Sequence, residues 1–374
     1  MVKITKAELR LWIYDGDVAA VPETPNYILT KSRLNDDDTI TFEVSELIKD
    51  YVKIEFDGNY AGLKQTMWVK YEVHRTYDDA TTDSFSQHNI AFRGYGEIID
   101  GINPELSKDV LISNTVINNR CGYPISVPFY TLNGDGIVEI SYIDEADQAS
   151  DLITGSVTKF TIAQNVKVNP PATDVITIDK THSTQSNSEA STEISEVPVC
   201  SNEVTYTDAE NNTSSIPVVC IDECEYKSSP HKVSFINKFG VMQDVWFFAR
   251  RKDSITSERE QYKRNTLNIG TGVASYNISD HQRVYLENQG RETITMNTGY
   301  IHESYSEVMK QLLVSEFVYI HDDTKSSPSN HLYDLAVPVN LVTNSLDIKT
   351  RRDDKLINYE LQFEADSEFI QSIR

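Results

Sequence analysis

The residues with the clearest capacity for chemistry are the four cysteines, Cys121, Cys200, Cys220 and Cys224, with His231 close behind the last. Cys220-Ile-Asp-Glu-Cys224 followed by His231, with Cys200 as a fourth donor, would supply the thiolate and imidazole set that tetrahedral zinc takes. The spacing argues against it. The two close cysteines are not in a C-x2-C arrangement, Cys200 lies across a loop, and Asp222, Glu223 and Glu225 crowd the site. A Cys200–Cys220 disulfide is a further option. Plain reduced thiols, packing as small apolar groups, are the default.

Other groupings fall short of the chemistry they suggest. His302-Glu303 lacks the second histidine that a metalloprotease helix needs four residues on. Gly270-Thr271-Gly272 and Gly94-Tyr95-Gly96 have no Lys-Ser/Thr and no strand-to-helix setting, so they read as turns rather than phosphate cradles. Asn133-Gly134-Asp135-Gly136 sits in a calcium-loop frame that would begin at Thr131 and end at Tyr142, where the bidentate Glu is required; a hairpin turn explains it better. There is no G-x-S-x-G elbow. With 57 acidic residues some carboxylate pair always falls close, so a glycosidase cannot be argued from their number. Asn35-Asp36-Asp37-Asp38 reads as a solvated loop. His321-Asp322-Asp323 could hold a cation but reads as a loop tip after a strand. The expectation is no catalytic residue, no metal site and no cofactor.

The elements around these residues are mostly strands. Runs at 7–14, 27–32, 39–44, 65–76, 89–99, 110–112 and 136–142 alternate with turn residues, which predicts an antiparallel β-sandwich over 1–142. Trp68, Val69, Tyr71 and Val73 mark a buried strand within it. A short helix is expected at 45–52, capped by Ser45, with Leu47, Ile48 and Tyr51 facing inward. Region 143–198 opens with extended segments at 157–168 and 174–178. It then runs through Thr181–Glu196, a Ser/Thr-rich stretch too polar to offset ordering entropy of about 1–2 kcal/mol per residue. Region 199–374 is α+β. Phe235–Phe248, FINKFGVMQDVWFF, reads as a hairpin turning at Asn237-Lys238-Phe239-Gly240. Further strands are expected at 293–296, 317–321, 335–341 and 355–365. An amphipathic helix over 303–316 places Tyr305, Val308, Met309, Leu312 and Leu313 on one stripe, with Lys310 and Gln311 pointing away. The fold class is therefore mainly β with α+β, one helix lying on a sheet.

Composition narrows the partners. The 374 residues carry a formal net charge of −23 at pH 7, which excludes a phosphate grip on nucleic acid and favours solubility. Tyr (20) outnumbers Phe (13) and Trp (3), as suits half-buried strands and interfaces. No run is apolar enough to span a bilayer as a helix, and the first residues lack a signal-peptide core, so folding in a reducing cytoplasm is expected. The one basic concentration is Arg250, Arg251 and Lys252, followed by Tyr262, Lys263 and Arg264, with Arg351 and Arg352 further on. Residues 250–265 read either as a solvated loop or strand pair, or as an arm that reaches an acidic neighbour of the same kind.

Four blocks of the C-terminal half carry a resemblance. They are Ile221–Tyr226 leading into Phe235–Gly240 and Gln243–Phe248; Ile255–Asn265; Met296–Tyr300 through Leu312–Glu316; and Ser345–Thr350 with Asp353–Tyr359 and Phe363-Glu364. Over roughly 219–374 the order of these pieces resembles a family of virion structural proteins of tailed bacteriophages of Bacteroidota. The shared motifs are packing and turn motifs, so no catalytic residue comes with them, and the polar middle segment has no counterpart. The resemblance implies a tail, baseplate or neck ring or adaptor subunit. Such a subunit is made in the host cytoplasm and housed in the virion, as a homo-oligomeric ring against other virion proteins. The alternative of another class is a carbohydrate- or receptor-binding module of a tail or cell surface, using exposed Tyr rings of the first region.

Overall fold

The computed structural model describes residues 3–15, 19–35, 39–54, 56, 58, 66–101, 111–120, 125–129, 136–144, 157–162, 174–178, 199–207, 213–221, 228–268, 272, 274–322, 335–347 and 356–366. Among the described residues the fold is mostly β, with largely antiparallel sheets and two α-helices.

The chain opens with β1 (Ile4–Tyr14), β2 (Tyr27–Ser32), α1 (Ser45–Lys49), β3 (Thr66–Tyr77) and β4 (Thr82–Phe92). The four strands form one antiparallel sheet in the order β2-β1-β3-β4. On one face Leu11, Ile13 and Val69 pack under Val44, Ile48 and Tyr51 of the α1 segment; on the other, Trp12, Tyr14 and Trp68 pack with Val21 and Ile90. Helix α1 is shorter than its sequence suggests. Ser45 is its first helical residue rather than its cap, because its hydroxyl bonds the Glu43 carboxylate, and Val44 occupies the cap position. Residues 39–44 are not a strand; Val44 contributes to the core as an irregular segment.

Next come β5 (Ile117–Arg120), β6 (Ile125–Phe129), β7 (Gly136–Asp144), β8 (Val157–Ile162), β9 (Asp174–Ile178), β10 (Val199–Thr207) and β11 (Thr213–Ile221). A five-stranded sheet, β5-β11-β10-β7-β8, draws strands from all three sequence regions, and β6 pairs with β9. The limit expected at 142/143 falls within β7, and the one expected at 198/199 coincides with the start of β10. The polar segment 181–196 lies outside the described residues.

The last part of the chain comprises β12 (His231–Ile236), β13 (Met242–Phe247), β14 (Lys252–Lys263), β15 (Leu267–Asn268), β16 (Ser275–Tyr276), β17 (Arg283–Asn297), β18 (Ile301–His302), α2 (Tyr305–Val314), β19 (Val318–Asp322), β20 (Leu335–Leu341), β21 (Leu356–Ile357) and β22 (Glu360–Ala365), and all but the helix and the four short strands β15, β16, β18 and β21 form the third sheet, which is the largest. Its seven strands run β13-β12-β19-β20-β22-β17-β14; β15 pairs with β16, and β18 with β21. Because side chains alternate along a strand, each strand serves two layers. Val233, Phe235, Val245, Phe247, Val318, Ile320, Leu361 and Phe363 pack with Tyr305, Val308, Met309 and Leu312 of α2. Ile236, Met242 and Tyr319 face the other way, onto Ile54 and Phe56 from the first region. Each fully buried aliphatic side chain on the α2 stripe contributes about 1.5–3 kcal/mol. Gln311, expected to point outward, is instead buried.

Candidate assembly surface

Past the sheet's edge the chain continues as a ribbon. Strand β14 pairs antiparallel with β17 from Lys252↔Thr295 to Lys263↔Arg283, while β17 meets β22 only over Thr293–Asn297. Among the described residues the eight pairs from Thr256↔Arg291 outward have no third strand, so about 26 Å of two-stranded ribbon leaves the sheet. Every residue of β14 is exposed. The sequence dictates this: Lys252–Lys263 has polar or charged side chains on both faces and cannot cover a core. Beyond Lys263 the ribbon is extended by Arg264 N–H donating to Gln282 O, and by the small β15/β16 pair.

The ribbon nonetheless carries apolar side chains. Ile255, Tyr262, Leu267, Tyr276, Ile278, Tyr285 and Leu286 are all exposed, Leu286 at 71 %, Tyr276 at 70 % and Ile278 at 100 %. Register shifts between Glu260 and Gln261, and the bulge leaves Leu286 without a partner on β14. Arg259 lies over the Tyr285 ring at 5.5 Å. A two-stranded ribbon is marginal by itself, and exposed apolar groups on one projection mark a contact surface.

The structure divides the expected arm residues. Arg250, Arg251 and Lys252 sit at the ribbon's base, where Arg251 Nε bonds Asp253 Oδ1 at 2.7 Å. Tyr262, Lys263 and Arg264 lie about 30 Å further along, and Arg264 faces Asp280 at 3.8 Å. The two clusters are thus separate ends of one element rather than one basic patch. Arg351 and Arg352 lie outside the described residues. What sequence reasoning missed is β17's outer half: Val284, Tyr285 and Leu286 are interrupted by Glu287, Asn288 and Gly290, which reads as loop until β14 is known to lie beside it.

The groups with chemical capacity are accounted for differently. Cys121, Cys224 and the side chains of Cys200 and Cys220 lie outside the described residues, as do Asn133–Asp135, Asp36–Asp38, Gly270, Thr271 and Asp323. Among the described residues no group of three His, Cys, Asp or Glu is placed to hold a metal ion, and no helix is long and apolar enough to cross a membrane. His321 is not at a loop tip; it is buried within β19, its ring edge-on to Phe56 with centroids 5.9 Å apart. Its Nε2 lies 2.7 Å from Ser234 Oγ, which also bonds Asp244 Oδ1. Serine, not histidine, stands in the middle. The single hydroxyl proton goes to the carboxylate, so Ser234 accepts from His321 Nε2–H and cannot be deprotonated by it. Ser234 is fully buried as well, so the trio ties β12 to β13 and β19 and offers no nucleophile. Of the first region's rings, Phe85 and Tyr95 are exposed, and Phe85 has Tyr71 perpendicular to it and Arg75 over its face at 5.1 Å.

Comparison with family models, curated proteins and solved structures finds no match to this chain.

Proposed function

We propose that this chain is a virion structural protein of a tailed bacteriophage, a tail, baseplate or neck ring or adaptor subunit that works by assembly rather than catalysis. The carrying observation is the β14–β17 ribbon with its β15/β16 tip, which carries seven exposed large apolar side chains and, among the described residues, has no third strand beside its outer eight pairs. Such an element is costly in a subunit that acts alone and useful in one that is gripped by a neighbour. The charge balance supports the same reading. The ribbon and its base, residues 250–297, hold eight Lys or Arg against six Asp or Glu, whereas the other residues hold 26 against 51. A slightly basic arm on an acidic body favours contact between copies. The sequence resemblance over 219–374 supplies the virion, the ring and the neighbouring virion proteins.

Sedimentation velocity of the purified chain across a concentration series, with negative-stain images of the largest species, tests this. A discrete oligomer seen as closed rings supports it, as does antibody labelling of the tail region in particles. A chain that stays monomeric at every concentration and is absent from particles overturns it.

A further inference from the structure

We propose that β14 of one copy adds to the sheet of the next copy by pairing along β4, so that the ribbon makes a head-to-tail contact. This names the receiving surface for the assembly reading above and rests on it. Both strands lie at the end of a sheet, β14 closing the seven-stranded sheet and β4 the four-stranded one. Both are long, and residues 82–89 of β4 are as exposed as all of β14. Natural edge strands are guarded by Lys, Pro or brevity. Strand β4 has none of these: Thr82–Phe92 contains no Lys, Arg or Pro, and its one carboxylate, Asp83, is already bonded to Arg75 Nε at 2.8 Å.

The hydrogen-bond phase leaves both edges open. Tyr77 N–H donates to Thr81 O, so alternation puts the backbone N–H groups of Ser84, Ser86 and His88 on the outer side of β4. Arg264 N–H donates to Gln282 O, so those of Lys263 and Gln261 face outward from β14. Pairing of β14 with its own counterpart in a two-fold antiparallel register centred on Glu258, Arg259 or Glu260 sets like charges opposite each other, whereas the almost uncharged β4 accepts either sign. A register centred on Thr256, which sets Arg259 opposite Asp253, is the competing self-pairing, and under it Ser86→Pro would assemble normally. A contact between two different edges is heterologous, and repeated it closes a ring or extends a filament.

The test uses full-length Ser86→Pro and Gln261→Pro, each removing one outward donor while sparing the ladder to β3 or β17. Circular dichroism checks the fold and sedimentation velocity reads assembly. Each variant alone loses the oligomer at concentrations where the parent chain is assembled. An equimolar mixture restores one contact and stops at a 1:1 dimer, because each variant keeps one good edge. Normal assembly of Ser86→Pro, or a mixture of folded variants that stays monomeric, overturns the pairing while leaving an oligomeric parent, and hence self-assembly, intact. A monomeric parent sinks both. If either proline unfolds the chain, amine cross-linking of mixed 14N and 15N parent decides instead. Links between copies joining Lys252 or Lys263 to Lys70, beside β4, support the pairing, and their absence in a cross-linked oligomer rejects it.

Discussion

Two hairpins close with the same three-residue loop, and they differ in the residue that bears the strain. Asn237 N–H donates to Val241 O and Gly240 N–H to Asn237 O; Tyr77 N–H donates to Thr81 O and Ala80 N–H to Tyr77 O. In each, the third loop residue is left-handed, with φ 79° at Gly240 and 64° at Ala80. Gly240 suits that geometry and has no room for a side chain, since an added Cβ would stand 2.5 Å from Gly94 N. Gly240→Ala is therefore expected to destabilise by about 2 kcal/mol or more, read as a lower urea midpoint. Ala80→Gly should do the opposite. It relieves an αL penalty of about 1–2 kcal/mol and restores part of that as chain entropy, a net gain of about 0.5 kcal/mol, and a fall in midpoint would show that Ala80 is unstrained. The sequence made one loop plain and hid the other. Asn237 to Gly240 sits between apolar arms, whereas Asp78-Asp79-Ala80 has no Gly and leads into TDSFSQH, which is polar on both faces. An edge strand with no buried face has no alternation to read, so a strand expected at 89–99 is in fact β4 at Thr82–Phe92.

At the scale of elements, α2 and the ribbon mark the limits of pattern reading. The periodicity of α2 locates its buried stripe, and Tyr305, Val308, Met309 and Leu312 all enter the core. It misplaces Gln311 because burial there is polar: Nε2 donates to Ser113 Oγ at 2.7 Å and Oε1 accepts from Lys238 N–H at 3.3 Å. A core made of hydrogen bonds leaves no hydrophobic signature. Gln311→Leu keeps the volume and strands both partners, so a loss of about 1–3 kcal/mol is expected in equilibrium denaturation; an unchanged midpoint would mean that solvent satisfies them. The ribbon is the converse case. Its charged sequence suggested a solvated loop, a strand pair or an arm; the pairing with β17 bears out the strand pair and gives it length. Since its outer part contributes no residue beyond Ile294 and Met296 at its base to the core, replacing 257–289 with a two-residue turn should leave the melting temperature within a few degrees. The same change should abolish assembly. A large drop in melting temperature would place the ribbon in the fold rather than on it.

Across the whole molecule, the first region is joined to the last by the shared β5-β11-β10-β7-β8 sheet, by the packing of Ile54 and Phe56 on Ile236, Met242 and Tyr319, and by two sets of short polar clamps. Segment 111–118 is threaded through one set: Asn237 Nδ2 donates to Leu111 O at 2.7 Å, Gln243 Nε2 to Asn114 Oδ1 at 2.8 Å, and Asn118 N–H to Tyr305 OH at 2.7 Å, while burial pushes the Tyr305 hydroxyl's pKa up. The second set centres on Glu316, just past α2. Its carboxylate accepts from Lys49 at 2.5 Å and from Arg93 at 2.8 Å, and Arg93 also donates to Val52 O and lies over Phe317. These hydrogen bonds, Lys49 first, hold the Glu316 carboxyl below its ordinary value of 4.5. A depressed carboxyl stabilises the folded state fully above its unfolded pKa and loses that contribution as pH falls through the folded one. Half-exposed ion pairs contribute about 1 kcal/mol or less each, so the effect is a shift, not a collapse. Glu316→Gln should melt a few degrees below the parent at neutral pH, with the gap narrowing as the solution is acidified below 4.5 and vanishing once the parent's carboxyl is protonated. A gap that stays constant through the acid range would mean that the side chain matters for packing alone. The net charge of −23 sharpens the contrast, because protonating the other carboxylates relieves repulsion in both proteins alike and leaves the difference between them to Glu316.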